Sequence, residues 1–276
     1  MTPAVDQTAP MFVETTPTAT ATHGPVPIFF CCGVRIDGVG PESAVDAVLA
    51  LGERRRGQSV HLCNAYTLSQ ARKNANLTVA LNKGDLNIAD GTPVAWIGRK
   101  LDPDMAGPVR GPDLMRNVLR AGVDRGTRHY LFGATPATCD GLVRALETVA
   151  PGADIVGVES PPFREMSDAE LADVARRIRK SRANIVWVGL GTPRQDFVVE
   201  RLRGMVDSVL VPVGAAFDFI AGTKPEAPRW MRHRGIEWIF RLVTEPRRLA
   251  RRYLVGNTIF LWGAARDLVG SGRTNS

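Results

Sequence analysis

The sequence predicts an α/β protein: a Rossmann-like, mostly parallel sheet covered by helices, with a basic helical C-terminal appendage. Three observations carry that expectation. Short apolar runs such as "SVHLCN", "HYLFG", "NIVWVGLG" and "SVLVPVG" alternate with amphipathic segments of about 10–15 residues. The runs are apolar at nearly every position rather than at alternate ones, as strands buried on both faces must be. The alternation stops near Gly222, and the chain beyond it is basic and reads as helical.

Each element follows in order. Residues 1–25, rich in Thr, Pro and Ala, read as a disordered leader, because no apolar core follows a basic start as a secretory signal requires. "PIFFCCGVRI" reads as one strand. "PESAVDAVLALGERRR" reads as a helix with Val45, Val48 and Leu49 on one face. "SVHLCN" is a strand, "YTLSQARKNANLTVALNK" a helix and "LNIADG" a strand end. "GPDLMRNVLRAG" is a helix that turns Leu114, Met115, Val118 and Leu119 inward. After the strand "HYLFG", Thr135-Pro136 opens a helix as cap residue and first-turn proline. "ADIVGV" is a strand, and Ser167 and Glu170 of "SDAELADVARRI" have capping-box spacing. "NIVWVGLG", "TPRQDFVVERLR" and "SVLVPVG" complete a strand, a helix and a strand. The organisation is therefore a leader over 1–25, a core over 26–222 and a basic amphipathic appendage over 223–270. Within the appendage, Pro246 starts or kinks a helix.

The formal net charge of +7 is local. Lys224 to Arg252 holds nine Lys/Arg against three Glu, while the rest is close to neutral. A concentrated patch argues for an anionic partner. Arg247/Arg251 and Arg248/Arg252 are i,i+4 pairs that share a helical face. Interleaved Trp230, Trp238, Phe240, Tyr253, Phe260 and Trp262 suit a membrane interface; a helix packing its aromatics on the core would read the same way. A nucleic-acid reader would carry fewer tryptophans and a recognisable motif, so nucleic acid is not an expected partner. No apolar stretch of about 20 residues is present, so no spanning helix is expected. Cys31, Cys32, Cys63 and Cys139 form no CxxC pair and read as buried thiols of a cytoplasmic protein.

Ligands of open parallel sheets bind beyond the carboxyl ends of the strands. The polar residues that end the apolar runs are Asn64, Asp90-Gly91, Gly133, Gly189 to Gln195 and Gly214 to Asp218. They should converge on one rim. "GLGTPRQ" places Gly189 and Gly191 where backbone approaches a ligand, and Thr192-Pro193 to open a helix whose N–H groups suit a phosphate; an ordinary strand-to-helix turn has the same appearance. It lacks the third glycine of GxGxxG and the lysine of a P-loop, which disfavours NAD and ATP. Asp90 is either a general base raised toward working pH by burial or the N-cap of the helix at Pro93. Asp102 and Asp104 form a DxD pair in a proline-rich loop and read as surface rather than metal site.

Taken together, "NAYTLSQARKN", "LNIADGTPVAW", "RGPDLM", "YLFGATP", "VGLGTPRQD", "VPVGAAFDFIAG", "APRWM" and "GIEWIFRLVTEPRRLARRYL" resemble the bacterial WecG/TagA/CpsF family of glycosyltransferases over roughly residues 28–260. The resemblance implies a Rossmann-like core with a helical appendage. It implies inverting transfer of a hexosyl unit, of the N-acetylmannosamine type, from a UDP-sugar to a polyprenyl-diphosphate-linked saccharide. No cofactor or metal is implied. The protein would act in the cytoplasm, held peripherally on the anionic inner face of the plasma membrane. Asp90 matches the family's proposed base; Asn64, Arg110 and Gln195 match substrate-binding positions; Arg234, Arg241, Arg247, Arg248, Arg251 and Arg252 match the appendage arginines. Three positions depart from the pattern: Leu62 for a threonine, Glu226 for an arginine and Asp196 for a glutamate. The competing functions are transfer of a glucosyl or other hexosyl unit on the same fold, and a non-catalytic nucleotide-sugar or lipid binder at the membrane surface.

Overall fold

The computed structural model describes residues 26–102, 105–234, 236–247, 256, 258–264 and 266–267. The leader, Asp104, Arg248, Arg251 and Arg252 lie outside the described residues. The described chain is α/β, with parallel strands packed between helices, as the patterning of the runs predicts.

The first four strands are β1 (Ile28–Cys31), β2 (Val34–Asp37), β3 (Val60–Cys63) and β4 (Leu86–Ala89), in the spatial order β1-β2-β4-β3. The next four are β5 (Arg128–Gly133), β6 (Asp154–Glu159), β7 (Ile185–Gly189) and β8 (Val209–Pro212), in the order β6-β5-β7-β8. All pairings are parallel except β1 with β2. The two sheets abut where β3 meets β8: Ser59 bridges Leu210 in parallel, and Leu210 N–H donates to Gln58 O at 2.8 Å. Across that seam the carboxyl ends of β4, β3, β8, β7 and β5 follow one another along a single edge.

Two elements differ from the sequence expectation. "PIFFCCGVRI" is a hairpin, not one strand, because Cys32 and Gly33 both adopt positive φ (55° and 79°) and make a two-residue turn that matches strand twist. The cysteine pair conceals that turn among apolar neighbours. "YTLSQARKNANLTVALNK" is two helices, α2 (Ala65–Lys73) and α3 (Ala75–Asn82). Asn74 breaks them: its extended backbone ends α2, and its side chain accepts from the N–H groups of Asn76 and Leu77 to start α3.

The remaining helices cover the sheets. On one face lie α1 (Pro41–Arg54), α5 (Gly111–Gly122), α6 (Pro136–Val149) and α9 (Ala216–Ile220). The other face of β5–β8 is covered by α7 (Asp168–Ser181), which begins with the Ser167/Glu170 capping box, and by α8 (Arg194–Leu202). Strand β7 shows the two-sided burial directly: Ile185 and Trp187 belong to the first cluster, Val186 and Val188 to the second. A third cluster joins the hairpin, α2, α3 and α4 (Thr92–Leu101), and it includes Phe260 and Ala264 from the helical residues 258–264. Past Gly222 come α10 (Arg229–His233) and α11 (Glu237–Thr244), and a further helix starts at Pro246. All four cysteines are buried and unbridged. No described helix is long and apolar enough to cross a membrane.

Candidate active site

The parallel pairing of β3 with β4 sets Leu62 beside Ile88 and Cys63 beside Ala89. The next residues along are Asn64 and Asp90, and Asp90 N–H donates to Cys63 O at 3.0 Å. Register alone thus brings the two polar residues together. Asn64 is the N-cap of α2: its Oδ1 accepts from Tyr66 N–H at 3.1 Å and Thr67 N–H at 3.0 Å. With the amide oxygen held by those donors, the nitrogen must face the other way. It donates to Asp90 Oδ2 at 3.1 Å. Asp90 does not cap α4; the N-cap there is Gly91, without a side-chain bond.

Asp90 is only partly exposed. Burial raises its carboxyl above the ordinary value, and this outweighs the lowering effects of the Asn64 hydrogen bond and of Arg241 and Arg110; Glu237 adds to the rise. A carboxylate whose pKa sits high, yet which has one amide donor and an opening to solvent, has the properties of a general base.

The glycine rim lies on the same edge. Gly133 needs φ of 137°, and a Cβ there would meet the Gly189 carbonyl carbon at 2.6 Å. A Cβ on Gly189 would meet the Phe217 ring at 2.7 Å, so this glycine serves the packing of α9 rather than a ligand. Gly191 is different: its φ is 77° and its would-be Cβ faces open space. Gln195 is buried beneath the turn. Its Oε1 accepts from Gly191 N–H at 3.0 Å and its Nε2 donates to Thr192 Oγ1 at 3.4 Å. The glutamine therefore shapes the Gly189–Thr192 turn from inside. The helix opens at Arg194, after Pro193, rather than at Thr192-Pro193.

Next to Gln195, Asp196 Oδ1 accepts a hydrogen bond from His61 Nδ1 at 3.1 Å, and both side chains are buried. That pair fastens the start of α8 to β3.

Arginines come to this edge from two directions. Arg110, the N-cap residue of α5, donates through Nε to Glu237 at 2.8 Å, through Nη2 to Glu226 at 2.9 Å and through Nη1 to Asp113 at 2.5 Å. Arg116 reaches Glu226 at 2.8 Å and Asp113 at 3.1 Å, and Arg232 reaches Glu226 at 3.0 Å. Arg241 grips Glu237 through Nε at 2.8 Å and Nη2 at 2.5 Å and lies 4.8 Å from the centre of the Phe219 ring. Arg234 is exposed and sits 6.0 Å over the Trp230 ring, and Arg247 is exposed. Asp113, Arg116, Glu226, Arg232 and Glu237 escape a reading of the sequence. Asp113/Arg116, three apart on α5, and Glu237/Arg241, four apart on α11, leave a local signal. Glu226, which reads as the loss of a cation, instead gathers three arginines.

Asp102 ends α4, its N–H donating to Gly98 O. No group of three or more potential metal-ligating side chains occurs among the described residues.

Comparison with known proteins gives this edge a setting. The chain is 24% identical over 200 residues to the N-acetylglucosaminyldiphosphoundecaprenol N-acetyl-beta-D-mannosaminyltransferase of Bacillus spizizenii, covering 72% of this chain and 76% of that protein. The model of the glycosyl transferase WecG/TagA/CpsF family matches residues 29–274, from β1 past the last described helix. The chain belongs to the WecG/TagA/CpsF family of glycosyl transferases.

Proposed function

We propose that this enzyme transfers an N-acetylmannosamine-type hexosyl unit, with inversion, from a UDP-sugar to a polyprenyl-diphosphate-linked saccharide. The observation that carries the reading is Asp90: a partly buried carboxylate at the carboxyl edge of the sheet, aimed by an asparagine that its own helix locks in place. The named activity of the Bacillus relative supplies the substrate class.

The acceptor is a sugar alcohol that loses its proton only as it attacks. Asp90 takes that proton while the alcohol oxygen bonds to the anomeric carbon and the UDP oxygen departs with the electron pair. The leaving diphosphate gains charge. The Cα of Gly191 faces open space, which leaves room for it beside the turn, and the guanidiniums of Arg110 and Arg241, in electrostatic range of Asp90, supply the countercharge. Asn64 holds Asp90 in place, and Gln195 holds the Gly191 turn. The residues past 222 form an appendage that docks on an anionic bilayer through exposed Trp230, Trp238 and Val243 beside Arg234 and Arg247.

The test is UDP release on incubation with UDP-N-acetylmannosamine and a short-chain N-acetylglucosaminyl-diphospho-lipid. UDP formation in step with a disaccharide-lipid product is the expected result. Silence with this donor but turnover with a glucosyl donor moves the assignment within the fold; silence with all donors removes it. Pelleting with anionic but not neutral vesicles tests the docking.

A further inference from the structure

We propose that Glu237 is a positioning residue for the reaction, a carboxylate bridge that holds Arg110 of the sheet edge and Arg241 of the appendage together at the mouth of the Asp90 site. The proposal rests on the reading of Asp90 as the base.

The geometry is that of a built bridge. The two oxygens of Glu237 are divided between the two arginines, Oε2 to Arg110 and Oε1 to Arg241. The Glu237 side chain is 17% exposed, so solvent screens these contacts weakly. Each arginine has a second anchor: Arg110 on Asp113 and Glu226, Arg241 over Phe219. Neither can swing away while the bridge holds. Glu237 also stands in the first turn of α11, where the helix dipole favours a carboxylate. Arg241 spends Nε and Nη2 on the bridge; among the described residues its Nη1 has no hydrogen-bond partner and can meet an incoming anion.

A purely structural latch would have no reason to lie within electrostatic range of the base. This one does. Among the described residues, the groups that act on Asp90 are Asn64 from the start of α2, Arg110 from the start of α5, and Glu237 and Arg241 from α11, beside the Cys63 thiol that burial keeps neutral. Of these only Glu237 is anionic. Replacing its charge while keeping its shape takes the anionic partner from Arg241 and one of three from Arg110, so Asp90 faces more net positive charge and ionises at lower pH.

The experiment follows donor turnover by UDP release across pH in the full chain and in Glu237→Gln and Glu237→Asp. For Glu237→Gln the expected result is a drop in kcat of about 10–100-fold, as a displaced cation pair costs, with the acidic limb of the kcat/KM profile moved to lower pH. Glu237→Asp keeps the charge but is too short to span both arginines. Its kcat falls while its acidic limb stays where it is in the parent. Parent-like kcat and an unmoved limb in Glu237→Gln overturn the proposal. If that variant fails to fold, Glu237→Asp decides: reduced kcat supports the bridge, parent-like kcat removes it. A parent chain silent with all donors removes the Asp90 reading, and the proposal with it.

Discussion

The sheet rim around Asp90 and the ion cluster around Glu226 hold the same functional group in opposite states. Both carboxylates are partly buried. Asp90 has one neutral amide as its hydrogen-bond donor and a pKa pushed up by burial. At Glu226 burial also works upward, but the guanidiniums of Arg116 and Arg110 outweigh it and hold the carboxyl below its ordinary value; Glu237 is held down in the same way by Arg241 and Arg110. The difference teaches that desolvation without a bound cation raises a carboxyl's hold on its proton, whereas desolvation with several bound cations leaves it ionised as a clasp. One carboxylate is kept ready to take a proton; the others are kept from taking one.

The contrast breaks most sharply at Asp90. Asp90→Asn keeps the side-chain shape and removes the proposed base, so turnover should fall by at least ~100-fold with little change in Tm. Parent-like turnover would erase the distinction between rim and cluster.

Removing Glu226 should do the reverse, with stability suffering first. Glu226→Ala leaves Arg110, Arg116 and Arg232 without their shared acceptor, and a loss of about 1–3 kcal/mol is expected, read in denaturant melts. Glu226→Arg, which installs the residue of the family pattern, should cost more than alanine because it adds a like charge among three others.

Acidification sharpens the same point. Glu226 and Glu237 have depressed pKa values in the folded chain, so their stabilising contribution is complete above the unfolded carboxylate pKa. It is lost as pH falls through the lower, folded values. Tm should decline over that acidic window, and Glu226→Ala should decline less.

Asn64→Ala is a smaller test. It removes the α2 cap at about 1 kcal/mol and the one hydrogen bond that favours ionised Asp90. Because that bond lowers the carboxyl, the acidic limb of kcat/KM should move to higher pH, opposite to Glu237→Gln. The smallest effect is expected at Arg234, exposed and touching the Trp230 face; Arg234→Ala should change folding stability by no more than about 0.5 kcal/mol.

The rim was legible because it follows from local pattern. A polar residue after a fully apolar strand must lie at a sheet edge, and parallel strands put all such residues on the same edge. Asn64, Asp90, Gly133, Gly189 and Gly214 obey that rule. What each does there was less legible: Gly189 yields to Phe217, and Gln195 turns inward to Gly191. Of the ion cluster only the pairs within one helix, Asp113/Arg116 and Glu237/Arg241, are legible. Arg110 meets Glu226 and Glu237 across 116 and 127 residues of chain, and no spacing rule spans such distances. Asp196 stands where the family pattern has a glutamate, and its carboxylate is matched to His61 on β3, a helix-to-strand contact across 135 residues of chain that no local pattern announces.

The third apolar cluster has its own corollary. Phe260 and Ala264 are seated among Phe29, Cys31 and Ile36 of the opening hairpin, so the described residues past Gly222 are held to the sheets both by the ion contacts of Glu226 and Glu237 and, farther along, by an apolar seat. If the ion contacts let go, the apolar seat still holds residues 258–264 on the hairpin. Re-forming the contacts of Glu226 and Glu237 is then an encounter within one molecule at high effective concentration.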